Sequence, residues 1–188
     1  TVSYDPDGAK KLLEESGWTD TDGDGYVDKD GQKLSINWLT YPTRLEQPKL
    51  AEYAQATLKD IGIDVQVNNT SDHRTFAENG EFDVYVSSIT TAPTGDPEYF
   101  FTSTVVGSKN YGNYQNEEVT KLTEQLHQTF DKDERGKLAT ELQQDILDDD
   151  AFFFVSHLNM GIVTKSNVTG MAAHPCDYYE ITADLDVE

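Results

Sequence analysis

The sequence predicts an α/β fold with a mixed, mostly parallel sheet flanked by helices, and three observations lead there. Apolar and polar residues alternate in three short runs, around Ile36, Val65 and Val84. Between these runs the apolar spacing lengthens to that of a helix, over 48–60 and again over 72–79. Strands joined through helices of this length pair in parallel, with right-handed crossovers.

Each element has its own signals. Residues 5–16 read as a helix, with Asp5 as N-cap, Pro6 in the first turn and Gly17 as the stop. Ala9, Leu12 and Leu13 form its apolar face, and Trp18 anchors the chain after it. Residues 20–31 are a Gly/Asp loop. Leu34, Ile36 and Trp38 alternate as a first strand. The helix over 48–60 has Pro48 near its start and a stripe of Leu50, Ala54, Leu58 and Ile61. Ile63, Val65 and Val67 make a second strand, a short helix covers 72–79, and Phe82, Val84 and Val86 make a third. Residues 87–114 are irregular and rich in Thr, Gly, Tyr and Pro; a loop of that length in a compact domain is usually functional. Two amphipathic helices follow. One carries Val119, Leu122, Leu126 and Phe130 behind an Asn116 cap, the other Leu138, Leu142 and Ile146 behind an Asp131 cap. Residues 151–155, Ala-Phe-Phe-Phe-Val, read as a buried strand that pairs with 161–164 as a hairpin. His157 is expected in the core or on a strand.

A chain of 188 residues buries roughly 70% of its unfolded surface, so it needs no disulfide to hold a core. Its single cysteine, Cys176, cannot form one internally. The 35 acidic residues against 14 basic ones leave a net charge of −21. Nucleic acids and anionic membrane surfaces are poor partners for such a chain, because binding them needs a basic footprint. Self-repulsion on this scale is tolerable where salt shortens the Debye length to about 3 Å at 1 M, which fits a halophilic source; an ordinary acidic protein is the alternative. No stretch approaches the ~20 apolar residues of a membrane span. The opening Thr1-Val2-Ser3-Tyr4 reads as an excised fragment.

Several segments in order then resemble one family. They are residues 4–18 (YDPDGAKKLLEESGW), the following DTDGDGYVDKDGQKL, LAEYAQATLKDIGIDVQV, GEFDVYVSS, GDPEYF, YGNYQNEEVTKL, and the final helix running into AFFFVSH and KSNVTGM. Together they are similar to the third domain of the peptide- and nickel-binding proteins of ABC importers. The resemblance implies a periplasmic-binding-protein-like (type II) fold, with residues 1–188 as a single α/β lobe of a larger two-lobed protein. It implies extracellular, cell-surface or periplasmic placement as a membrane-anchored lipoprotein, an ABC permease as partner, and a monomer. The known members bind peptides, nickel complexes, haem, sugars or other solutes, so membership leaves the ligand open.

Candidate sites follow from the resemblance and from the residues. In peptide-binding members an Arg in the position of Arg44 grips the ligand carboxylate, which suits the two parallel donors of a guanidinium. A surface Arg paired with Glu46 is the other reading. The loop 87–101 faces the ligand in the family, which places Thr90, Thr91 and Ala92 near the cleft. Dipeptide-binding relatives hold the ligand's amino group with an Asp three positions before an Asp-Pro pair; here that position is Pro93. Asp96 is the Asp of the pair itself and suits the cap of the turn that Pro97 begins. Tyr41, Tyr99 and Tyr111 are candidate apolar walls, or ordinary packing residues. Residues 20–31 (DTDGDGYVDKDG) carry the start of a calcium loop, with Asp20, Asp22, Asp24, the Tyr26 carbonyl and Asp28 at ligand positions and Gly31 where a bidentate Glu would stand. A structural Ca²⁺ is expected there; an unoccupied Asp/Gly turn is the alternative. His73, His127, His157 and His174 show no metal-ligand spacing, and His174 with Cys176 offers two ligands without a third. No nucleophile elbow, phosphate loop, zinc-protease helix or dinucleotide motif appears. Solute capture is therefore the first reading, an enzyme the second, and a calcium-stabilised structural or adhesion module the third.

Overall fold

The computed structural model describes residues 3–159, 161–173 and 181–188. His174 and Cys176, the pair considered above, lie outside the described residues. The chain separates into two compact units, Thr1–Ser88 and Ile89–Glu188.

The first unit opens with helix α1 (Pro6–Glu15), where the Asp5 carboxylate accepts from Gly8 N at 2.9 Å. That bond satisfies one of the N–H groups a helix start leaves unpaired. Of the expected apolar face, Leu13 and Ala9 are half-buried but Leu12 is exposed. A small hairpin follows, β1 (Asp28–Lys29) and β2 (Gln32–Lys33). Its two-residue turn is Asp30-Gly31, both left-handed at φ 54° and 75°, which is the geometry an Asp-Gly hairpin turn requires.

The sheet is parallel, in the order β4-β3-β5. Strand β3 (Ser35–Thr40) is central; helix α2 (Glu46–Lys59) leads to β4 (Asp64–Asn69), and α3 (His73–Glu78) leads back across to β5 (Val84–Tyr85). This is the predicted alternation of strand and helix. The third strand is shorter than the alternation suggested, although Asp83 N and Val86 N still bond to Asn37 O and Leu39 O on either side of it. Leu39, Val65, Ala51 and Ala77 form the buried centre. Gly62, at φ 82°, lets the chain pass so close to Val27 that a Cβ would meet Val27 Cγ1 at 2.9 Å.

The second unit is built on helices. A short turn α4 (Glu98–Phe100) continues as a π-helix (Phe101–Val105), followed by α5 (Glu117–Gln128) and α6 (Lys132–Asp148). Asn116 and Asp131 cap α5 and α6 as the sequence indicated, each side chain accepting two backbone N–H groups. Val119, Leu122 and Leu126 of α5 meet Leu138, Leu142 and Ile146 of α6 around Phe100, Phe101 and Val105. Strands β6 (Val168–Thr169) and β7 (Asp186–Val187) pair antiparallel.

Three expectations fail in this unit. Phe130 is almost fully exposed, because Thr129 turns to an extended conformation and ends α5 at Gln128, two residues short of it. Residues 151–155 and 161–164 form no hairpin: both run without strand pairing, and Phe153 is 76% exposed. His157 is exposed and lies on no strand. A strand needs a neighbour to satisfy its backbone groups, and none lies beside these residues among those described.

Candidate functional site

The parallel strands of the first unit all end on one edge, where Thr40, Asn69 and Tyr85 close β3, β4 and β5. Open α/β sheets bind ligands at the carboxyl ends of their strands. Here the edge runs from Thr40 through the loop 41–45 into the start of α2. That helix start has no side-chain cap: Leu45 stands at the N-cap position and makes no capping bond. Gln47 N bonds to Arg44 O and Pro48 has no N–H, so it is the positive dipole end that favours an anion there.

Polar atoms concentrate along this strand–loop–helix segment without partners. Thr40 is 0% exposed and Gln47 3%, yet Thr40 Oγ1 and Gln47 Oε1 have no hydrogen-bond partner among the described residues. Glu46 Oε1 and the indole Nε1 of Trp38 share that state. Buried polar atoms are normally satisfied, and each one left alone costs about 1–3 kcal/mol. Arg44 lies in the same loop, exposed, and forms no ion pair with Glu46 or any other described acid.

An aromatic cluster supports this edge. Tyr41 stacks on His73 with ring centroids 4.1 Å apart, and its hydroxyl accepts from Ser88 N at 3.0 Å. His73 Nδ1 meets the Tyr85 hydroxyl at 2.7 Å. Desolvation first, and the nearby Arg74 charge second, hold the His73 imidazole below its ordinary pKa, so it is neutral at pH 7. Tyr41 is itself buried, with a ring face covered by His73, so it braces the loop that carries Arg44.

The Asp-rich loop brings three carboxylates together. Asp20, Asp22 and Asp28 each offer an oxygen, all within 4.8 Å of one another. Backbone donors orient them: Gly23 N and Gly25 N bond to Asp20, Asp24 N bonds to Asp22, and Thr21 bonds to Asp28 through both N and Oγ1. Hard oxygen donors converging in this way suit Ca²⁺ chemistry. Asp24 turns elsewhere, to Lys33 Nζ at 2.5 Å, while Lys33 also lies over the Tyr26 ring. The Lys33 hydrogen bond, with a second from Tyr26 N, holds the Asp24 carboxyl below its usual range.

The remaining candidates lie in the second unit. Thr90 and Ala92 are half-buried and Thr91 is exposed. The Ala92 carbonyl accepts from Gly95 N at 2.9 Å, which spends that group within its own turn. Asp96 accepts from Glu98 N, the cap the sequence suggested, but its main partner was not legible there. Arg135 grips both Asp96 oxygens through Nε and Nη2, at 2.8 and 2.6 Å. The same guanidinium reaches Glu98 Oε2 and the Leu126 and Thr129 carbonyls that end α5. His127 Nδ1 meets the other Glu98 oxygen at 2.6 Å. The Arg135 bonds hold Asp96 and Glu98 below their ordinary pKa values. Asp96 is thus a fixed support of the 89–97 loop. Tyr99 packs under Lys109, which donates to its hydroxyl.

The oligopeptide-binding protein AppA of Bacillus subtilis is 31% identical over 185 residues, 95% of this chain and 34% of the relative. Its structure with a nonapeptide superposes with a TM-score of 0.66 at 30% identity, over 79% of this chain and 30% of that one. A nickel ABC transporter protein from Bacillus halodurans superposes with a TM-score of 0.69 at 30% identity, over 80% and 32%. The nickel-binding protein NikA of Staphylococcus aureus is 26% identical, over 88% of this chain and 34% of the relative. The chain spans about a third of the length of these curated relatives. The fold is therefore that of the type II periplasmic binding proteins, a mixed α/β structure with a parallel sheet and flanking helices. Residues 1–112, from the capped first helix through the sheet and the loop after it, match the middle region of one family, and the chain belongs to the bacterial extracellular solute-binding proteins, family 5.

Proposed function

We propose that the full-length protein captures a small solute bearing a carboxylate, a peptide or an amino-acid nickel complex, and delivers it to an ABC permease. The observation that supports this most is the set of unpartnered buried polar atoms between Thr40 and Gln47, beside the uncapped α2 start and the unpaired Arg44. The guanidinium takes the carboxylate as a two-donor fork, and the helix start adds its dipole. Tyr41 and His73 brace the loop. Residues 1–188 form one lobe; closure of a second lobe over the solute by a hinge completes the site and presents the closed form to the membrane. The protein acts as a monomer outside the cell, lipid-anchored, in a saline setting that screens its −21 charge.

The test uses the full-length protein. Mass spectrometry of the material released on denaturation identifies the solute, and calorimetry then measures it against Arg44→Gln. A charge-assisted fork is worth about 1.5–3 kcal/mol, so affinity falls roughly 10- to 100-fold. Arg74→Gln, which removes the other arginine without an ionic partner among the described residues, leaves affinity unchanged. Equal losses in both variants, or none in Arg44→Gln, defeat the assignment. Catalytic turnover of the released compound would defeat capture itself.

A structural Ca²⁺ in the Asp loop is part of this proposal. Asp20, Asp22 and Asp28 would hold it, with Asp24 joining only by releasing Lys33. The ion would neutralise a cluster of like charges and fix the loop between α1 and the hairpin. Calcium titration of chelator-treated protein, showing neither heat nor a higher melting temperature, removes the ion from the account.

A further inference from the structure

Three Asn-x-[Ser/Thr] triplets stand in the chain, beginning at Asn68, Asn69 and Asn167. The triplet is the acceptor for N-linked oligosaccharide in secreted proteins, and the family is extracellular. Such triplets also arise by chance, so the surroundings of each amide decide. Asn68 and Asn69 lie inside β4, opposite Leu39 and Thr40 in the parallel ladder, and Thr70 N bonds to Thr40 O. Asn68 is half-buried as well. Drawing either residue into a transferase site breaks the end of that ladder, and each backbone group then loses its partner.

Asn167 is placed differently. It sits in an exposed turn, closed by Val168 N on Lys165 O at 3.0 Å. Val168 is half-buried, while Asn167 and Thr169 on either side of it both turn outward, so amide and hydroxyl are presented together. Asn167 Nδ2 donates to Glu188 O at 2.9 Å. An amide nitrogen carries two hydrogens. Replacing one by a sugar carbon leaves the other for Glu188, so the pairing of β6 with β7 is kept. We propose that Asn167 is a glycosylation site, whose oligosaccharide comes from a polyprenyl-phosphate-linked donor. Nδ2 bonds to the anomeric carbon of the first sugar. The bond from that carbon to the phosphate oxygen breaks, and the phosphate leaves with the electron pair. The displaced Nδ2 proton passes to a base of the transferase. No residue of the Arg44 site takes part, so loss of solute binding leaves the proposal standing.

Glycopeptide mass spectrometry tests it, on the full-length protein purified from the organism that makes it. The peptide holding Asn167 is expected to carry a sugar mass that fragmentation places on the asparagine. The peptide holding Asn68 and Asn69 is expected to carry none. An unmodified Asn167 overturns the proposal, and so does a sugar that fragmentation places on the Thr169 oxygen. Equal modification of Asn68 or Asn69 overturns the structural choice among the three. Thr169→Ala keeps Asn167 and its bond to Glu188 but removes the hydroxyl, so the sugar should vanish, while Thr169→Ser should retain it. A sugar that persists on Asn167 in Thr169→Ala counts against the assignment.

Discussion

Arg135→Ala removes the connection with the most partners in the second unit. The side chain makes five hydrogen bonds, two to Asp96, one to Glu98 and two to the carbonyls of Leu126 and Thr129. Those five use all the donors a guanidinium has. The variant loses two ion pairs and the donor to the Thr129 carbonyl, while Leu126 O still accepts from Thr129 N. Breaking a fully buried pair costs about 3–5 kcal/mol, because a charge is left uncompensated. Exposed pairs are worth about 0–1. Here the side-chain exposures are 14% for Arg135, 22% for Glu98 and 39% for Asp96, between those limits. Asp96 also keeps Glu98 N, and Glu98 keeps His127. A loss of roughly 2–3 kcal/mol follows, which for a chain of this size lowers Tm by about 5–10 °C. Thermal melting by far-ultraviolet circular dichroism at pH 7 measures it. Arg135→Lys should recover less than half of the loss, since an ammonium cannot span both Asp96 oxygens. The pH dependence is a second readout. Asp96 and Glu98 have folded-state pKa values below their unfolded ones. Their contribution is therefore complete above the ordinary carboxylate range and disappears as pH falls through the lowered values. The wild type and Arg135→Ala should converge in acid. A Tm change of less than about 2 °C at neutral pH, or a gap between the two that widens in acid, would refute the reasoning.

Leu142→Ala removes a side chain with no exposed surface from the contact between α5 and α6, and should cost about 2–5 kcal/mol by urea denaturation. Asn116→Ala removes the two cap bonds of α5 and the bond to Asp149, and should cost about 1–2 kcal/mol in the same assay. Tyr114 is pushed up to about 12 by burial and by its bond to Asp149, so its stabilising contribution is complete below the ordinary tyrosine range and is lost as pH rises through that value. Difference absorbance between wild type and Tyr114→Phe should therefore show one tyrosine ionising after the exposed ones.

What the sequence made legible was local. Asp5, Asn116 and Asp131 were readable as caps because capping depends on one side chain and the two or three N–H groups after it. The parallel sheet was readable because period and connection length leave few alternatives. The Asp30-Gly31 pair also carries a hairpin signal, but it stands behind four other aspartates whose spacing is that of a metal loop. Arg135 could not be found this way. It lies 39 residues from Asp96, and no spacing rule joins a helix residue to a turn at that distance. Phe130 continued an apolar stripe on paper, yet one extended residue, Thr129, was enough to turn it into solvent. The failed hairpin at 151–164 has a different cause. Periodicity reports what a segment can form, while a strand exists only where a neighbour supplies the other half of each hydrogen bond.

Neither Arg44 nor Arg74 has an ionic partner among the described residues, so being unpaired does not by itself mark a site in a chain with 35 acids. Their surroundings separate them. Arg74 sits on α3 beside His73, where its charge helps keep the imidazole neutral. Arg44 sits in the loop between Thr40 and Gln47, two residues whose buried polar atoms have nothing to bond to. A folded chain does not carry such atoms without cost, and several within eight residues add up to a destabilisation of a few kcal/mol. In the proposed reading the solute reaches those atoms, which have almost no accessible surface in the free protein, through a shift of the 41–45 loop, and regains that free energy on binding. By that argument the full-length protein gains thermal stability from its solute, and the gain shrinks when Thr40 is replaced by Val, which has the same shape and no hydroxyl to satisfy.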